Sequence, residues 1–327
     1  MNVPLLQVND LKKYFPVRAG RFGRKAEWVY AVDGVSFDIA RGETLSLVGE
    51  SGCGKSTVGR AILRLFDITA GQVVLDGQRV DDLSANRLRK MRRRMQVVFQ
   101  DPFSSLNPRM RVRDILAEPI RNFSLAKSSA ELDARVVALM DTVRLPREAL
   151  DRRPHEFSGG QRQRIGIARA LAAEPELIVC DEAVSALDVS VKAQIVNLLQ
   201  DLQREFGLAL LFISHDLAIV EHITHRVAVM YLGKIVELAS KRQIFTAPRH
   251  PYTKALLSAV PVPEPGAVRA PMILRGDVPS PINPPRGCRF HTRCPFVFDR
   301  CRSEEPQLRS AASGQWAACH LETLPQG

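Results

Sequence analysis

A chain of 327 residues, 45% of them hydrophobic and 25% charged, is long enough to bury one large core or two smaller ones and has the ordinary composition of a soluble globular protein. No apolar run approaches the roughly 20 residues of a membrane helix, the longest being LALLFIS at 208–214, and the start MNVPLLQVNDLKKYF has no basic stretch followed by a continuous apolar one; neither a membrane span nor a secretory leader is expected, and the chain should stay in the cytosol. The net charge of +11, part of it in RAGRFGRK (18–25) and part in RLRKMRRRMQ (87–96), fits a nucleic-acid surface, an anionic lipid surface or plain solvated faces, so the chemistry elsewhere must decide.

In chain order the pattern alternates between strand and helix. TLSLVG (44–49) is a short apolar run ending in glycine, and STVGRAILRLF follows with Val58, Ala61, Ile62 and Leu65 at helical spacing: strand, glycine-rich loop, helix. GQVVLDGQRV (71–80) places Asp76-Gly77 between two strand-like runs and predicts a tight hairpin. Residues 131–173 read as mostly helical, interrupted at Pro146 and Pro154. ELIVCDE and LALLFISHD read as short buried strands that end in acidic or polar residues, where a parallel sheet presents its active-site groups. RVAVMYLGKIVEL (226–238) predicts a second hairpin turning at Gly233. Beyond about residue 245 proline becomes frequent and periodicity fades, which predicts a boundary between a main domain, 1–245, and a C-terminal extension, 246–327.

GESGCGKST, residues 49–57, fits the phosphate-binding pattern G-x-x-x-x-G-K-[ST] in the strand-loop-helix context that the pattern requires. Gly49, Gly52 and Gly54 let backbone N–H groups curl around an anion, with Glu50, Ser51 and Cys53 filling the variable positions of the loop. Lys55 brings a point charge to the β and γ phosphates, Ser56 a hydroxyl for Mg²⁺, and Thr57 continues into a helix whose positive end adds to the field. A glycine-rich turn with a chance lysine is the bland alternative, and the flanking elements argue against it. In LIVCDE the strand delivers Asp181, suited to holding Mg²⁺, and Glu182, suited to polarising an attacking water. Solvated turn acids would look the same in isolation, but not beside such a loop.

FSGGQRQRIGIARALA (157–172) starts a second helix with Ser158, Gly159, Gly160 and Gln161, its apolar side carrying Ile165, Ala168 and Ala172. It offers backbone donors to an anion without a lysine or a metal ligand of its own. Such an end makes a poor independent nucleotide site and a good lid on a phosphate held elsewhere.

SGGQ, together with the phosphate loop and LIVCDEAVSALD, resembles the nucleotide-binding subunit of an ATP-binding cassette (ABC) transporter over about residues 3–245. Further elements of that family stand in order: Gln100 in VVFQDP, the stretch SALD ending at Asp188, and His215 in FISHD. Tyr14 sits where the family places an aromatic under the adenine, with residues 16–28 as an insertion and Phe15 as the alternative. Phe157 replaces the usual leucine before SGGQ. The resemblance implies an α/β phosphate-loop NTPase fold with a RecA-like core, an antiparallel β subdomain and a helical subdomain at about 101–172. It also implies two cassettes facing head to tail, so that ATP lies between Lys55 of one and Ser158 to Gln161 of the other. Gln100 would contact Mg²⁺ and the attacking water, Glu182 act as general base, His215 steady the γ-phosphate and Asp188 organise the facing subunit.

FQDPFSSLNPRM, DEAVSALDVSV and HPYTKALLSAVP narrow the resemblance to ATPase subunits of oligopeptide and dipeptide importers. These imply a second, similar ATPase in a heterodimer (a homodimer being the alternative), two membrane permeases, an extracytoplasmic binding protein, and a peripheral location on the cytoplasmic face of the inner membrane. Related systems carry nickel chelates, glutathione or sugars, and the cassette residues do not choose among cargoes. A soluble ABC ATPase acting on ribosomes or DNA would explain the charge but lacks here its second cassette or coiled-coil insertion, so no nucleic-acid partner is expected; a phosphate-loop kinase or GTPase would leave Ser158 to Gln161, Gln100 and His215 without purpose.

The six cysteines divide. Cys180 lies on a strand and reads as a buried structural thiol. Cys288, Cys294, Cys301 and Cys319 run C-x5-C-x6-C-x17-C, followed by His320. In a reduced compartment that grouping favours soft-metal ligation over disulfides, with free thiols as the alternative. The resemblance to importer extensions implies a [4Fe-4S] cluster held by all four, with Zn²⁺ second and His291 and His320 as bystanders.

Overall fold

The computed structural model describes residues 4–17, 27–259, 272, 274–312 and 314–324; the basic run at 18–25 lies outside them. In chain order the elements are β1 (Leu6–Val17), β2 (Glu27–Ile39), β3 (Thr44–Val48), α1 (Lys55–Ile62), β4 (Ala70–Leu75), β5 (Gln78–Arg79), α2 (Ala85–Arg94), β6 (Met95–Val98), α3 (Pro102–Ser105), α4 (Val112–Asn122), α5 (Ser129–Thr142), α6 (Gly159–Leu171) and β7 (Leu177–Asp181). There follow α7 (Val189–Phe206), β8 (Ala209–Ser214), α8 (Leu217–Ile223), β9 (Arg226–Tyr231), β10 (Lys234–Ser240), α9 (Lys241–Thr246), α10 (Pro251–Ser258), α11 (Asp299–Ser303), β11 (Arg309–Ala312) and β12 (Gln315–Ala317).

Both expected hairpins form. Asp76 and Gly77 have φ of 50° and 76°, Leu232 and Gly233 φ of 42° and 82°, the paired left-handed residues that match the twist of the flanking strands. The helix after the phosphate loop is shorter than its apolar spacing predicts. Arg64 turns left-handed at φ 48° and ends it, so Leu65 does not share the buried face of Val58, Ala61 and Ile62 and is 49% exposed. In the segment expected to be helical, Pro146 precedes and Pro154 opens two short 3₁₀ turns between α5 and α6, as a residue without an N–H and with fixed φ does at a first turn.

The chain divides into two compact units. The first comprises Ile39–Thr44 and Asp82–Ser214 with the start of the chain. Strands β6, β7 and β8 run parallel in that order, with Val98 opposite Cys180 and Asp181 opposite Ile213, and every residue of β7 and β8 is buried. Strands buried on both faces need continuous apolar runs, which LIVC and ALLFI supply. Helix α6 packs against α3, α4, α5 and α7. Part of the basic run at 87–96 is spent inside this unit: Arg93 pairs with Glu174, which also takes Arg135, and Arg94 pairs with Glu176, which also takes Arg41.

The second unit comprises Leu6–Asp38, Leu45–Asp81 and His215–Gly327. One sheet has the order β2-β1-β4-β5. In the other, β3 pairs with β9 in parallel, β9 with β10 as a hairpin, and β12 joins the far edge of β10, with Glu237 opposite Ala317 and Leu238 opposite Trp316. The rings of Tyr231, Tyr252 and Phe290 meet one another at 4.8 to 5.4 Å between centroids. All three are fully buried, so two residues of the extension complete the core around β9. The two edge-to-face contacts, Tyr231 with Tyr252 and Tyr231 with Phe290, add about 0.5–1.5 kcal/mol each beyond area burial.

Candidate functional site

In the second unit the phosphate loop leaves β3 and enters α1 with Gly49, Gly52 and Gly54 at φ 152°, 79° and 107°. A Cβ at Gly49 would stand 2.1 Å from the Met230 carbonyl oxygen, and one at Gly54 2.1 Å from that of Ala31. The loop is therefore pressed between β9 and β2, and only glycine fits. Lys55 is buried. Its ammonium donates to the carbonyls of Gly49 at 2.8 Å and Glu50 at 3.0 Å, with the Cys53 sulfur at 3.8 Å. Cys53 is buried, which pushes its thiol up, and its carbonyl accepts from the Gly233 N–H in the hairpin turn. Ser51 and Gly52 are exposed, Ser56 and Thr57 half-buried.

Tyr14 stands edge-on to Tyr30 at 4.7 Å, and its hydroxyl donates to Asp33 at 2.5 Å. Burial, reinforced by the Asp33 carboxylate, pushes the phenol well up. Burial opposes ionisation of Asp33, but the Tyr14 hydrogen bond and the charges of Arg289 and Lys234 more than offset it and hold the carboxyl below its usual range. Phe15 turns instead to Phe66, 5.5 Å away. His215 is exposed, just before Asp216, whose side chain caps α8 by accepting from the Ile219 N–H.

In the first unit Asp181 is buried at the end of β7 and Glu182 follows at φ 51°, its N–H donating to Ile213 and its carbonyl closing a turn onto Ser185. A glutamate in the left-handed region costs about 1 kcal/mol or more and persists where its neighbours dictate it. Gln100 is exposed two residues past the end of β6, which neighbours β7, so it emerges at the same strand ends as the acidic pair. Asp188 is exposed and leads α7.

Ser158 caps α6 in a reciprocal box: its hydroxyl accepts from the Gln161 N–H, and the Gln161 side chain accepts from the Ser158 N–H. Ser158 and Gln161 thus close on each other, and the N–H groups of Gly159 and Gly160 lie outside this box at the helix start. A Cβ at Gly160 would meet Val191 of α7 at 2.4 Å. Three residues that the sequence reading missed tie this helix to the segment on either side of Gln100. Gln163 donates to the Phe99 carbonyl at 3.3 Å, Arg162 lies 3.8 Å over the Phe103 ring, and Arg169 donates to the Ser105 carbonyl. For Arg162 and Gln163 the signal available was QRQR after SGG, since polar residues on an apolar-faced helix ask for partners.

All six cysteines are free thiols. Burial pushes Cys180 up to about 12, which makes it an inert core group. Cys288, Cys294, Cys301 and Cys319 line one small cavity beside Phe290 and Phe296. Burial pushes Cys288 up to about 12, Cys294 up to about 11, and Cys319 upward as well. Among the described residues no three His, Cys, Asp or Glu side chains stand placed to hold a single metal ion. His291 Nδ1 donates to the Cys288 carbonyl at 2.8 Å and His320 Nε2 to that of Glu304 at 2.9 Å.

A lysine-bearing phosphate loop, a strand-end acidic pair and a lysine-free glycine helix start define an ABC-type ATPase. The comparisons agree. The ABC transporter family model matches residues 32–185, and the model for the oligopeptide/dipeptide transporter C-terminal region matches 236–301. The chain is 55% identical to the probable peptide ABC transporter ATP-binding protein y4tS of Sinorhizobium fredii, over 98% of this chain and 91% of that one. It is 53% identical to the oligopeptide transport ATP-binding protein AppF of Bacillus subtilis, over 97% of each. Among solved structures it is similar to the dimeric ATP-binding cassette MJ0796 bound to ADP and Pi, at 28% identity and TM-score 0.63, covering 72% of this chain and 99% of that one. The chain belongs to the ATP-binding protein family of oligopeptide/dipeptide-type ABC transporters. Among the described residues no helix is long and apolar enough to cross a membrane.

Proposed function

We propose that the subunit is the motor of a di- or oligopeptide importer, bound peripherally to the cytoplasmic face of the inner membrane beneath two permeases that an extracytoplasmic binding protein supplies. It pairs with a second, similar ATPase, and each ATP is clamped between Lys55 of one cassette and Ser158 to Gln161 of the other. The names of the relatives support the cargo class. The observation that carries the clamp is that one chain holds a phosphate loop with Lys55 aimed along it and, in its other compact unit, a capped glycine helix start with no lysine of its own.

In this reading residues 1–245 form the cassette, with a helical part at about 101–172, and 246–327 the extension. Glu182 takes the proton of the attacking water, His215 holds the γ-phosphate side of the site, and Asp188 orders the facing cassette. Tyr14 lies under the adenine. Ser56, Asp181 and Gln100 offer a hydroxyl, a carboxylate and an amide oxygen, the hard donors that suit Mg²⁺, which neutralises phosphate charge when bound. The four cysteines of the extension offer thiols to one cavity, a donor set that suits an iron-sulfur cluster first and Zn²⁺ second, and a bound metal would brace the extension.

Glu182→Gln is expected to keep ATP binding and to lower turnover by about 10² to 10⁴-fold, the usual worth of a general base. Phosphate release near the wild-type rate would refute the assignment. For the cysteines, anaerobic purification should yield iron and a brown chromophore that Cys294→Ser loses; a colourless, iron-free preparation removes the cluster.

A further inference from the structure

The turn between Cys288 and Cys294 reads RFHTR, so that an arginine stands next to each cysteine. Arg293 is nearly enclosed, with 8% of its side chain exposed, and its guanidinium reaches both carboxylate oxygens of Glu50, at 2.6 and 3.1 Å. Glu50 is the second residue of the phosphate loop. Its N–H donates to the Tyr252 hydroxyl at 2.8 Å, and its carbonyl accepts from the Lys55 ammonium at 3.0 Å. One residue thus touches the lysine of the loop on one side and, on the other, the arginine beside Cys294. Arg289 makes a parallel connection, donating to the Leu232 carbonyl and to Asp33, which also accepts from the Tyr14 hydroxyl.

A carboxylate inside a loop that receives a polyanion repels its ligand unless a cation covers it. Arg293 supplies that cation in a site shielded from salt, and its planar fork fixes the carboxylate in one orientation, which an ammonium group does not do. We propose that Arg293 is a positioning residue for the phosphate loop and that, through it, the packing of the four-cysteine cavity is coupled to occupancy of the phosphate site. This rests on the reading of residues 49–57 as the nucleotide site. Coupling of two sites is reciprocal, so nucleotide binding must in turn be felt at the cysteines.

The full-length chain is titrated with MgATP by displacement of a fluorescent ATP analogue, and iodoacetamide labelling of Cys288 and Cys294 as free thiols, in metal-free protein, is followed by mass spectrometry with and without saturating MgATP. Arg293→Met should bind MgATP about 10-fold more weakly, and combining it with Glu50→Gln should recover most of the loss, because the uncovered charge is gone. A role in folding alone would lower the melting temperature without changing the affinity of the folded protein, so a thermal melt is recorded beside each titration. MgATP should change the labelling rate by about 3-fold or more in the wild type and leave it unchanged in Arg293→Met. If Arg293→Met does not fold, Arg293→Lys is used, with a loss of about 3-fold expected because charge remains without the fork. A wild type that binds MgATP while either variant matches it within about twofold, labelling included, overturns the coupling and leaves the nucleotide reading standing. A wild type that does not bind MgATP overturns both.

Discussion

Gly49 and Gly54 meet the same demand from opposite sides of the loop, a left-handed backbone with a main-chain carbonyl where a Cβ would go. Gly52 shares the left-handed backbone, at φ 79°, but has nothing within 4 Å of its absent Cβ. The three glycines of one motif are thus not equivalent. Gly52→Ala should cost only the backbone strain of about 1–2 kcal/mol and retain measurable MgATP binding. Gly49→Ala and Gly54→Ala add a clash with Met230 or Ala31 that no side-chain rotation relieves, and both should lose binding altogether. A titration in which Gly52→Ala binds no better than Gly54→Ala would contradict this ranking. The pattern G-x-x-x-x-G-K-[ST] marks these positions in the sequence, but it cannot separate them, because Ala31 and Met230 lie far away in the chain. For the same reason Arg293, about 240 residues from Glu50, carried no signal as its partner, whereas the Ser158–Gln161 box, closed over three residues, was visible as a helix start.

At the level of elements, the hairpins at Asp76-Gly77 and Leu232-Gly233 and the buried strands β7 and β8 follow from local chemistry and were legible. Helix α10 was not, because what anchors it is a buried histidine. His250 caps the helix through Nδ1, which accepts from the Tyr252 N–H at 3.1 Å, while its own N–H and that of Arg249 donate to the Glu237 carboxylate. Burial pulls His250 from 6.5 down to about 3, so between those values the unfolded chain binds a proton that the native chain refuses, and stability falls as pH falls. From pH 7.5 to 5 the loss should be roughly 2 kcal/mol. Glu237 is pushed up by its own burial and acts in the opposite sense, since a proton on it is easier to accept in the fold. His250→Asn keeps the cap and removes only the histidine. Denaturant unfolding of both chains across this range should therefore show a stability difference that narrows toward pH 5 in favour of the variant; parallel curves would mean that His250 is protonated in the native state.

For the molecule as a whole, composition and packing disagree about where the chain divides. Proline and the loss of periodicity mark residue 245 in the sequence, yet His215–Gly327 belongs to a single compact unit with the phosphate loop and the strands around it. The disagreement arises because periodicity reports local structure, while the extension contributes isolated pieces to someone else's core: Tyr252 and Phe290 against Tyr231, β12 on the edge of β10, and Gln315 on the Glu237 carboxylate at 2.9 Å. A chain ended after Thr246 loses two buried aromatic side chains, each worth about 1.5–3 kcal/mol, and exposes a strand edge that invites pairing with other chains. It also strips Glu237, 0% exposed in the full chain, of the Arg249, His250 and Gln315 donors. Against a total of about 5–15 kcal/mol for a typical domain, those losses are decisive. The shortened chain should be recovered as aggregate, or as a species without a cooperative thermal transition. A monomer that melts within a few degrees of the full chain and still binds MgATP would show that the cassette folds on its own and that the extension merely rests on it.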